Sequence, residues 1–595
     1  MIIRNYELPI TNFQFILTMS FTRTLLRPGA YYDSIVLMQL QRALAKLPGV
    51  IDAGVVMGTP ANKTLLNEGG LLSPEAQQAN SDDLLIVIKG ETEQAVETAL
   101  SQVDTLLTTR QSTPSDDAFR PKSLDSALKL LPDARWVLIS VPGRYAAGIA
   151  QQALDRNLHV FLYSDNVALE DEIALKKTAR KKGLLMMGPD CGTAIIHGVG
   201  LGFANRVRRG PIGLVGASGT GLQAVTSAIH NLGGGVSHAI GTGGRDLKAE
   251  VGGLTALQGL TYLADDPETK VIVLVSKPPA PKVASRLLAT AQTCGKPVVV
   301  NFIGYPPPAR RQGNVWFAVN LGECAELACQ LAGDWRLEHI DSESHPHLPQ
   351  RMNRYLRGLF SGGTLAVEAV LALQNILYPL LTNTPISNDQ SLISPPPQNA
   401  HILLDLGEDE FTVGRLHPMI DNDLRIRRLR QEASDPEVGV ILLDIVLGEG
   451  AHPDPAGELA PVIAEIRAQG LEIVVVVVGT ENDPQNMPAQ IEKLQAAGAK
   501  VFLDMSQVAE YILNNLETLF SSTTPPRPPS TLPPSDTTPL GTGLQHPLTP
   551  KAINFGLESF YESLTLQGAQ AVQVDWRPPA GGDERLAGIL AKLKK

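Results

Sequence analysis

One glycine-rich loop in the sequence has the features of an anion-binding site. It begins where the apolar run 212–215 ends, and an amphipathic helical pattern follows it. Glycines let backbone amides approach an anion closely, and the first turn of a helix adds partial positive charge. We predict that an anion binds the loop residues Ser218, Gly219, Thr220 and Gly221. No Lys-Ser or Lys-Thr pair follows, so the loop is not a Walker A motif. A tight strand-to-helix turn that requires glycine is the alternative interpretation.

A second loop combines glycines with a charged pair. Gly243 and Gly244 precede Arg245 and Asp246, directly after a predicted strand. A guanidinium can hold a carboxylate or a phosphate through two parallel hydrogen bonds. Arg245 is therefore a candidate catalytic residue, and the two glycines are candidate substrate contacts. The alternative is a surface turn in which Arg245 pairs with Asp246.

A third loop places a cysteine beside an aspartate after another predicted strand. We predict that Asp190, Cys191 and Gly192 contact the substrate. Cys191 invites comparison with cysteine nucleophiles, but no histidine lies at an interpretable spacing. Lone buried cysteines are usually inert, so we assign Cys191 no catalytic role.

Three more loops, in the carboxyl-terminal half of the chain, carry histidines and aspartates. His417 and His452 are candidates for general acid–base catalysis or for polarising a substrate. Paired with Asp421 and Asp454, they are alternatively metal ligands. A third interpretation makes each histidine a simple hydrogen-bonding residue of its loop. The same loops contain the candidate substrate contacts Asp444, Gly479 and Thr480.

Parallel sheets are the elements that would position these loops. Apolar runs alternate with helical patterns over most of the chain, which indicates doubly wound sheets whose strands end at one ligand-binding edge. The predicted class is α/β, with several parallel-sheet domains and a small amino-terminal α+β domain. The predicted segments are an extension (1–22), a ferredoxin-like domain (23–115), three α/β domains (120–207, 208–335 and 401–520), a helical segment and linker (336–400), a proline-rich linker (521–549) and a carboxyl-terminal tail (550–595).

Composition narrows the classes of function. The formal net charge of -11 disfavours a nucleic-acid partner. The four cysteines form no CxxC pair, which argues against a zinc framework and favours free thiols in a reducing cytoplasm. No apolar stretch reaches the length of a membrane-spanning helix, so no membrane partner is expected. Residues 1–18 are expected to be an extension rather than a signal peptide.

Several motifs, taken in order, resemble a known family of enzymes. The segments GPDCGTAI, GLVGASGTGLQ and GTGGRD are similar to those of the succinyl-CoA synthetase α subunit. The segment 401–520 resembles the carboxyl-terminal ligase domain of the β subunit. From about residue 23 onward, including the motifs LLRPGAYYDSIVLMQL and VQVDWRPPAGG, the chain resembles the FdrA family. The resemblance implies a CoA-binding-like Rossmann domain at 120–207 and flavodoxin-like ligase domains at 208–335 and 401–520.

The resemblance also contains one departure from the enzyme. The synthetase carries a phosphorylated histidine in a Gly-His-Ala-Gly motif, and here Asn314 stands in that position. An amide cannot be phosphorylated as an imidazole can. In the synthetases, phosphate lies between two helix N-termini. The matching elements here would be 218–221 and 414–417, which implies that Gly414 and Arg415 bind phosphate.

Members of the FdrA family are linked to oxamate carbamoyltransferase. The implied reaction converts oxalurate and phosphate into oxamate and carbamoyl phosphate. Phosphate is then a substrate, CoA is an additional candidate ligand, and other subunits of an oligomeric enzyme are expected partners. In this hypothesis Arg245 and Arg415 neutralise phosphate, and His417 or His452 protonates the leaving amide. The alternatives are an acyl-CoA synthetase that acts on a CoA thioester and a non-catalytic scaffold subunit.

Overall fold

A computed structural model describes most of the chain, which divides into an amino-terminal unit and a second unit that comprises most residues from 118 onward. Gly414, Arg415 and most of the predicted extension and linkers lie outside the described residues. Within the described part, no helix has the length and hydropathy needed to cross a membrane. The described residues are 20–28, 34–58, 62–63, 66–67, 70–80, 83–109, 120–305, 309–333, 354–384, 399–412, 417–520 and 551–577.

The amino-terminal unit is a three-stranded antiparallel sheet. Its central strand, Leu84–Gly90, pairs with Phe21–Arg27 on one side and Val50–Met57 on the other. The apolar residues of the central strand are buried on both faces of the sheet. Along the chain a helix follows the first strand, a short helix separates the other two strands, and two helices follow the last strand, so the ferredoxin-like assignment stays a prediction. The helices are Ser34–Ala45, Pro74–Gln78, Glu93–Ser101 and Val103–Thr109.

The second unit contains a five-stranded parallel sheet that the carboxyl-terminal tail helps to build. Lys551–Phe555 pairs directly with Trp136–Ile139, so strands distant in sequence are neighbours. In spatial order the strands are Gln570–Val574, Lys551–Phe555, Trp136–Ile139, His159–Leu162 and Met186–Met187. The accompanying helices are Leu124–Leu130, Gly143–Asp155, Leu169–Lys182 and Glu558–Leu566.

An eight-stranded mixed sheet follows, and it begins earlier in the chain than expected. Thr193–Ile196 is a strand of this sheet although it precedes the predicted boundary at 208, whereas Met186–Met187 belongs to the five-stranded sheet. His197 and Gly198 both have positive φ, which turns the chain into a hairpin with Val199–Gly202. In spatial order the strands are Arg311–Gln312, Val315–Phe317, Val298–Phe302, Val271–Ser276, Arg209–Gly216, Val236–Gly241, Thr193–Ile196 and Val199–Gly202. The helices are Gly219–Asn231, Leu254–Asp265, Pro281–Thr293 and Leu321–Ala332.

A six-stranded, fully parallel sheet completes the second unit, and it too begins before the predicted boundary at 401. Tyr355–Phe360 is a central strand, although we read it as part of a helical segment and linker. The strand was not predicted because Arg357 interrupts its apolar pattern. In the structure the Arg357 charge is buried and pairs with Glu432. In spatial order the strands are Leu380–Thr382, His401–Asp405, Tyr355–Phe360, Val438–Val446, Glu472–Val478 and Lys500–Phe502. The helices are Gly363–Leu373, Asp409–Thr412, Asp423–Ala433, Pro455–Ala468, Met487–Ala496, Met505–Asn514 and Leu516–Phe520.

The architecture confirms the predicted α/β class with a small amino-terminal α+β domain. Helices cover the parallel sheets, and the core strands are nearly continuous runs of buried Val, Ile and Leu. The eight-stranded and six-stranded sheets share one hydrophobic core. Loops that follow strands in these two sheets can therefore meet.

Candidate functional site

Two helices from different sheets meet at their N-termini. The strand Arg209–Gly216 leads through Ser218 into the helix Gly219–Asn231. Ser218 caps this helix, because its hydroxyl oxygen accepts a hydrogen bond of 2.9 Å from the Gly221 amide. The same hydroxyl is hydrogen bonded to the Thr364 hydroxyl, in the first turn of the helix Gly363–Leu373. We call these two helices the paired helices.

Glycines permit this close approach. A Cβ atom on Gly362 would lie 2.3 Å from the Thr220 Cγ2 atom, and one on Gly363 would lie 2.2 Å from an Asp405 carboxylate oxygen. Any other residue at 362 would push the two N-termini apart, and any other residue at 363 would displace the Asp405 carboxylate. No side chain caps the Gly363 helix, so its first amides remain available as donors.

The second helix N-terminus is not the one that the resemblance implied. Gly414 and Arg415 lie outside the described residues, so their predicted phosphate contacts stay predictions. Sequence reasoning missed 362–364, although Ser-Gly-Gly-Thr after a strand resembles the Ser-Gly-Thr-Gly of 218–221. The signal was present, but the strand before it was not recognised.

Asp405 and Lys277 approach the same face of Gly363. The Lys277 Nζ atom would lie 3.2 Å from a Cβ atom on that glycine. Asp405 is buried, and one of its oxygens accepts a hydrogen bond of 2.9 Å from the Gly407 amide. Burial raises the pKa of the Asp405 carboxyl to about 7, although the nearby Lys277 charge opposes the rise. Near neutral pH this carboxyl can therefore both donate and accept a proton.

His417, a predicted catalytic residue, lies beside these groups. Its Nε2 atom would be 3.0 Å from a Cβ atom on Gly407, which also adjoins Asp405 and Ser361. Its Nδ1 atom accepts a hydrogen bond of 3.2 Å from the Met419 amide, so a neutral ring carries its proton on Nε2. Burial lowers the pKa of His417 to about 4. At neutral pH His417 is a hydrogen-bond donor rather than an imidazolium.

One unpartnered hydroxyl points to a missing ligand at the first helix. Thr193 is almost fully buried, and its Oγ1 atom has no hydrogen-bond partner among the described residues. This oxygen would lie 3.3 Å from a Cβ atom on Gly219, with the backbone of Gly192 nearby. Since buried hydroxyls nearly always have a partner, Thr193 gives an independent reason to expect a polar ligand here. Gly192, in the third predicted loop, therefore lies beside the N-terminus of the helix Gly219–Asn231.

The other candidate histidine is already engaged. The His452 Nε2 atom lies 3.1 Å from a Glu458 carboxylate oxygen, and Nδ1 accepts a hydrogen bond of 3.1 Å from the Asp454 amide. Asp454 in turn caps a helix and pairs with Lys493. The described residues contain no group of His, Cys, Asp or Glu side chains able to hold a metal ion. The metal-ligand alternative for His417 and His452 therefore has no support in this part of the chain.

Asp444 holds the loop that leads into the Gly363 helix. Its two carboxylate oxygens accept hydrogen bonds from the Ser361 amide at 2.7 Å and the Ser361 hydroxyl at 2.9 Å. The Arg425 guanidinium lies 3.2 Å from the same carboxylate. The predicted substrate contact is thus occupied by the protein, and Asp444 fixes the loop before Gly362.

Gly479 and Thr480 also serve a structural contact. The Thr480 hydroxyl donates to the Arg206 carbonyl oxygen at 2.8 Å, and its amide donates to Asp483. Asp483 accepts a further hydrogen bond of 2.8 Å from Asn205. The Gly479 carbonyl accepts one of 3.1 Å from Asn231. These contacts join the six-stranded and eight-stranded sheets.

Arg245 belongs to a buried ionic network rather than to an open clamp. Its Nε atom lies 2.9 Å from Glu172, and its Nη2 atom donates to the Val167 carbonyl at 2.8 Å. Lys176 bridges Glu172 and Asp246 at 3.0 and 2.7 Å. The surface-turn alternative is not what the structure has, because Asp246 is fully buried. With these partners, Arg245 holds two sheets together, and its predicted catalytic role stays a prediction.

The loops around Cys191 and Gly243 pack against each other. A Cβ atom on Gly243 would lie 2.1 Å from the Pro189 carbonyl oxygen, and one on Gly244 would lie 3.3 Å from Asp190 Oδ2. Burial raises the pKa of the Cys191 thiol to about 12, so it is protonated at neutral pH. This agrees with the absence of an assigned role for Cys191.

Asn314 lies at the wrong edge of the sheet to act at the paired helices. Its carbonyl accepts a hydrogen bond from the amide of Val298, the first residue of a strand, whereas Ser218 lies just beyond the end of Arg209–Gly216 in the same sheet. The Asn314 amide donates to the carbonyls of Ala291 at 2.9 Å and Lys296 at 2.7 Å. These bonds give Asn314 a structural role.

Comparisons with known proteins agree with this architecture. Residues 359–510 match the CoA-ligase family, and residues 207–304 match the CoA binding domain. The chain thus contains succinyl-CoA-synthetase-like CoA-binding and CoA-ligase domains. It is 44% identical over 491 residues to the uncharacterized protein YahF of Escherichia coli (strain K12), covering 80% of this chain and 95% of YahF. The chain belongs to the YahF family.

More distant relatives match shorter parts. The chain is 28% identical over 189 residues to the ADP-forming succinate–CoA ligase subunit alpha 2 of Archaeoglobus fulgidus, covering 31% of this chain and 63% of that subunit. The dinucleotide-forming acetyl-coenzyme A synthetase 1 of Ca. Korarchaeum cryptofilum matches 69% of this chain and 89% of its own, at 15% identity and a TM-score of 0.28. That structural likeness carries no argument about function. The CoA-binding match begins at residue 207, so the CoA-binding role predicted for 120–207 stays a prediction.

The amino-terminal unit matches a domain described as AllF, heavy metal-associated, over residues 19–121. This segment contains neither cysteine nor histidine, the ligands that soft metals prefer. The residues present therefore do not fit a heavy-metal site, and we assign this domain no metal.

Proposed function

We propose that the paired helices bind inorganic phosphate and that the chain transfers a carbamoyl group to it. The converging N-termini of the two helices carry this proposal. Two sets of helix amides directed at one point favour an anion, because each N-terminus adds partial positive charge. The unpartnered Thr193 hydroxyl and the Lys277 ammonium add a donor and a positive charge beside them. Lys277 takes the neutralising role that we first gave to Arg245.

The reaction proposed is the one implied by the resemblance to the FdrA family. A phosphate oxygen attacks the carbamoyl carbon of oxalurate, and the carbon–nitrogen bond to oxamate breaks. His417 can donate a hydrogen bond from Nε2 to the carbamoyl oxygen as negative charge develops there. Asp405, with its pKa of about 7, can deliver the proton that the leaving amide nitrogen needs. The products are oxamate and carbamoyl phosphate, and no phosphorylated histidine is required.

A CoA-dependent ligase is the second candidate, because 207–304 and 359–510 match CoA-binding and CoA-ligase families. Titration calorimetry distinguishes the two. Phosphate binding that oxamate strengthens would support carbamoyl transfer. Tight CoA binding without that synergy would favour the ligase. Failure to bind either would favour a subunit whose chemistry requires a partner chain.

Catalysis is tested by following carbamoyl phosphate formation with phosphorus NMR. The Asp405→Asn variant should lose most of its turnover, on the order of 100-fold, because general acid catalysis contributes about that much or more. Asp171→Asn removes an exposed carboxylate far from the site and serves as the control. Full turnover in the Asp405→Asn variant would remove Asp405 from the mechanism.

A further inference from the structure

The second unit contains a cavity of about 950 Å³ far from the paired helices. It lies where the strands of the five-stranded sheet begin, as its lining includes Trp136, His159 and Lys551. The opposite wall comes from the helix Leu254–Asp265 and the hairpin turn at His197. Its lining includes no residue of the paired helices and none of Thr193, Lys277, Asp405 and His417, so this cavity is separate from the proposed phosphate site.

The lining contains two exposed arginines. The side chains of Arg135 and Arg180 are exposed, and neither guanidinium forms a hydrogen bond or an ion pair with a described residue. By contrast, Lys551 pairs with Asp133 in the same lining. With Asp265 as the remaining acidic residue, the unpaired charge of the lining is positive. Free guanidinium groups of this kind suit a phosphate, which they can bind through two hydrogen bonds each.

Aromatic rings line both walls. Trp136 and His159 are stacked with their ring centroids 4.6 Å apart. The His159 ring is held in place because Nδ1 accepts a hydrogen bond of 2.9 Å from the Leu185 amide. On the opposite wall, Tyr262 packs edge-on against His238 at 5.4 Å, and His197 packs against the same ring at 4.5 Å. Fixed rings of this kind form a surface on which a flat heteroaromatic group can stack.

Polar groups in the lining can form hydrogen bonds with the edge of such a ring. The Gln258 amide nitrogen donates to the Leu184 carbonyl at 3.3 Å, which leaves the Gln258 carbonyl oxygen to accept. The Thr261 hydroxyl donates to Leu257 at 2.9 Å and retains its acceptor capacity. The volume lies at the upper end of the range of about 300–1,000 Å³ that holds small ligands.

We propose that this cavity binds a purine nucleotide, with the base between the aromatic walls and a phosphate on Arg135 and Arg180. Unpaired cations, fixed rings and free acceptors occur together here, and nothing in the carbamoyl transfer uses them. A nucleotide can arrive free or as the nucleotide part of CoA. The site is independent of the proposed phosphate site, so either can fail without the other.

Titration calorimetry of the full chain with ADP, and in parallel with CoA, tests this site. One equivalent of ADP or CoA should bind, and Arg135→Ala combined with Arg180→Ala should weaken binding at least about tenfold, as expected when charge-assisted hydrogen bonds are lost. Tyr262→Leu should also weaken binding, since it removes one stacking surface. Lys177→Ala, exposed on the helix that carries Arg180 and outside the cavity lining, is the control.

The affinities for ADP and CoA are compared to find which form of the nucleotide the cavity prefers. Binding that the double arginine variant weakens and Lys177→Ala leaves unchanged supports the proposal. Absence of binding at millimolar ADP and CoA would overturn it. Binding with the same affinity in the double variant would also overturn it, since the ligand would then lie elsewhere.

Discussion

The hydroxyl groups of Ser218 and Thr364 are hydrogen bonded to each other, although 146 residues separate them in the chain. Each belongs to the first turn or cap of one of the paired helices. Their bond joins the eight-stranded sheet to the six-stranded sheet at the point where both helices present free amides. This contact between sheets therefore helps to set the geometry of the proposed phosphate site.

Replacement of Ser218 by alanine should lower both the stability of its helix and the affinity for phosphate. The variant loses its helix cap, worth about 1 kcal/mol, and its bond to Thr364. We expect phosphate affinity to fall about tenfold in calorimetry, since the paired N-termini are no longer held in register. Ser123→Ala removes a similar cap from Leu124–Leu130, away from the site. An equal loss of affinity in Ser123→Ala would show that capping alone explains the effect.

The Gly362→Ala variant should bind phosphate weakly while remaining folded. Its Cβ atom would lie 2.3 Å from Thr220, so the two N-termini must move apart. Gly148→Ala provides the control, because nothing lies within 4 Å of its Cβ position in the helix Gly143–Asp155. The control should be stabilised by about 0.5–1 kcal/mol, since alanine replaces glycine in a helix interior. Thermal unfolding and phosphate titration of both variants check this, and unchanged phosphate affinity in Gly362→Ala would contradict it.

The stability of the second unit should depend on pH through Asp405. Its pKa rises from 3.8 to about 7 on folding because the carboxyl is buried. Between these values the folded chain binds a proton that the unfolded chain has released, so folding is favoured at low pH. The contribution is complete below pH 3.8 and is lost as pH rises through about 7.

Comparison of wild type with Asp405→Asn isolates that contribution. The amide cannot ionise, so the Tm of the variant should improve relative to wild type as the pH rises from 5 to 8. Thermal unfolding at several pH values measures the difference. A constant difference in Tm across this range would mean that Asp405 ionises normally in the folded protein.

Arg245→Ala should act on stability rather than on phosphate binding. The variant leaves the buried Glu172 with Lys176 as its remaining cation. Breaking a buried pair costs about 3–5 kcal/mol, and we expect about 1–2 kcal/mol here because 35% of the Arg245 side chain is exposed. A lower Tm with unchanged phosphate affinity is the expected result. An unchanged Tm with lower phosphate affinity would instead support the predicted role of Arg245 in phosphate binding.

Reintroduction of a histidine at position 314 should not create a phosphorylated enzyme. Asn314→His loses the hydrogen bonds to Ala291 and Lys296, at a cost of about 1–3 kcal/mol, and leaves its imidazole at the amino end of the sheet. Incubation with labelled acetyl phosphate or ATP should therefore leave no acid-labile phosphate on the protein. Stoichiometric labelling would show that the loop around 314 can reach the paired helices.

The local sequence pattern predicted the helix N-terminus at Ser218. It did not predict the one at Gly362, because the strand before that glycine is stabilised by a contact between residues distant in the chain. The loop at Ser218 follows an uninterrupted apolar strand, so its glycines could be interpreted. The strand before Gly362 contains Arg357, whose charge is neutralised by Glu432, 75 residues further along. No local pattern shows that such an arginine is buried.

The same limit applies to the chemical roles of individual residues. Arg245 looked free because its partner Glu172 lies on another predicted domain. The altered pKa of Asp405 follows from burial between two sheets, which the sequence does not display. Asn314 could be matched to a motif, but its distance from Ser218 follows from strand register.

The placement of Lys551–Phe555 sets the order in which the chain can fold. The Ser140 hydroxyl donates to the Phe555 carbonyl across 415 residues, and Trp136–Ile139 lies beside that late strand. At typical rates of translation, roughly 20–80 s pass between the synthesis of these two strands. During that interval Trp136–Ile139 presents an unpaired apolar edge, the kind that aggregates with other chains. We therefore expect the nascent protein to be most prone to aggregation before Lys551–Phe555 has been synthesised.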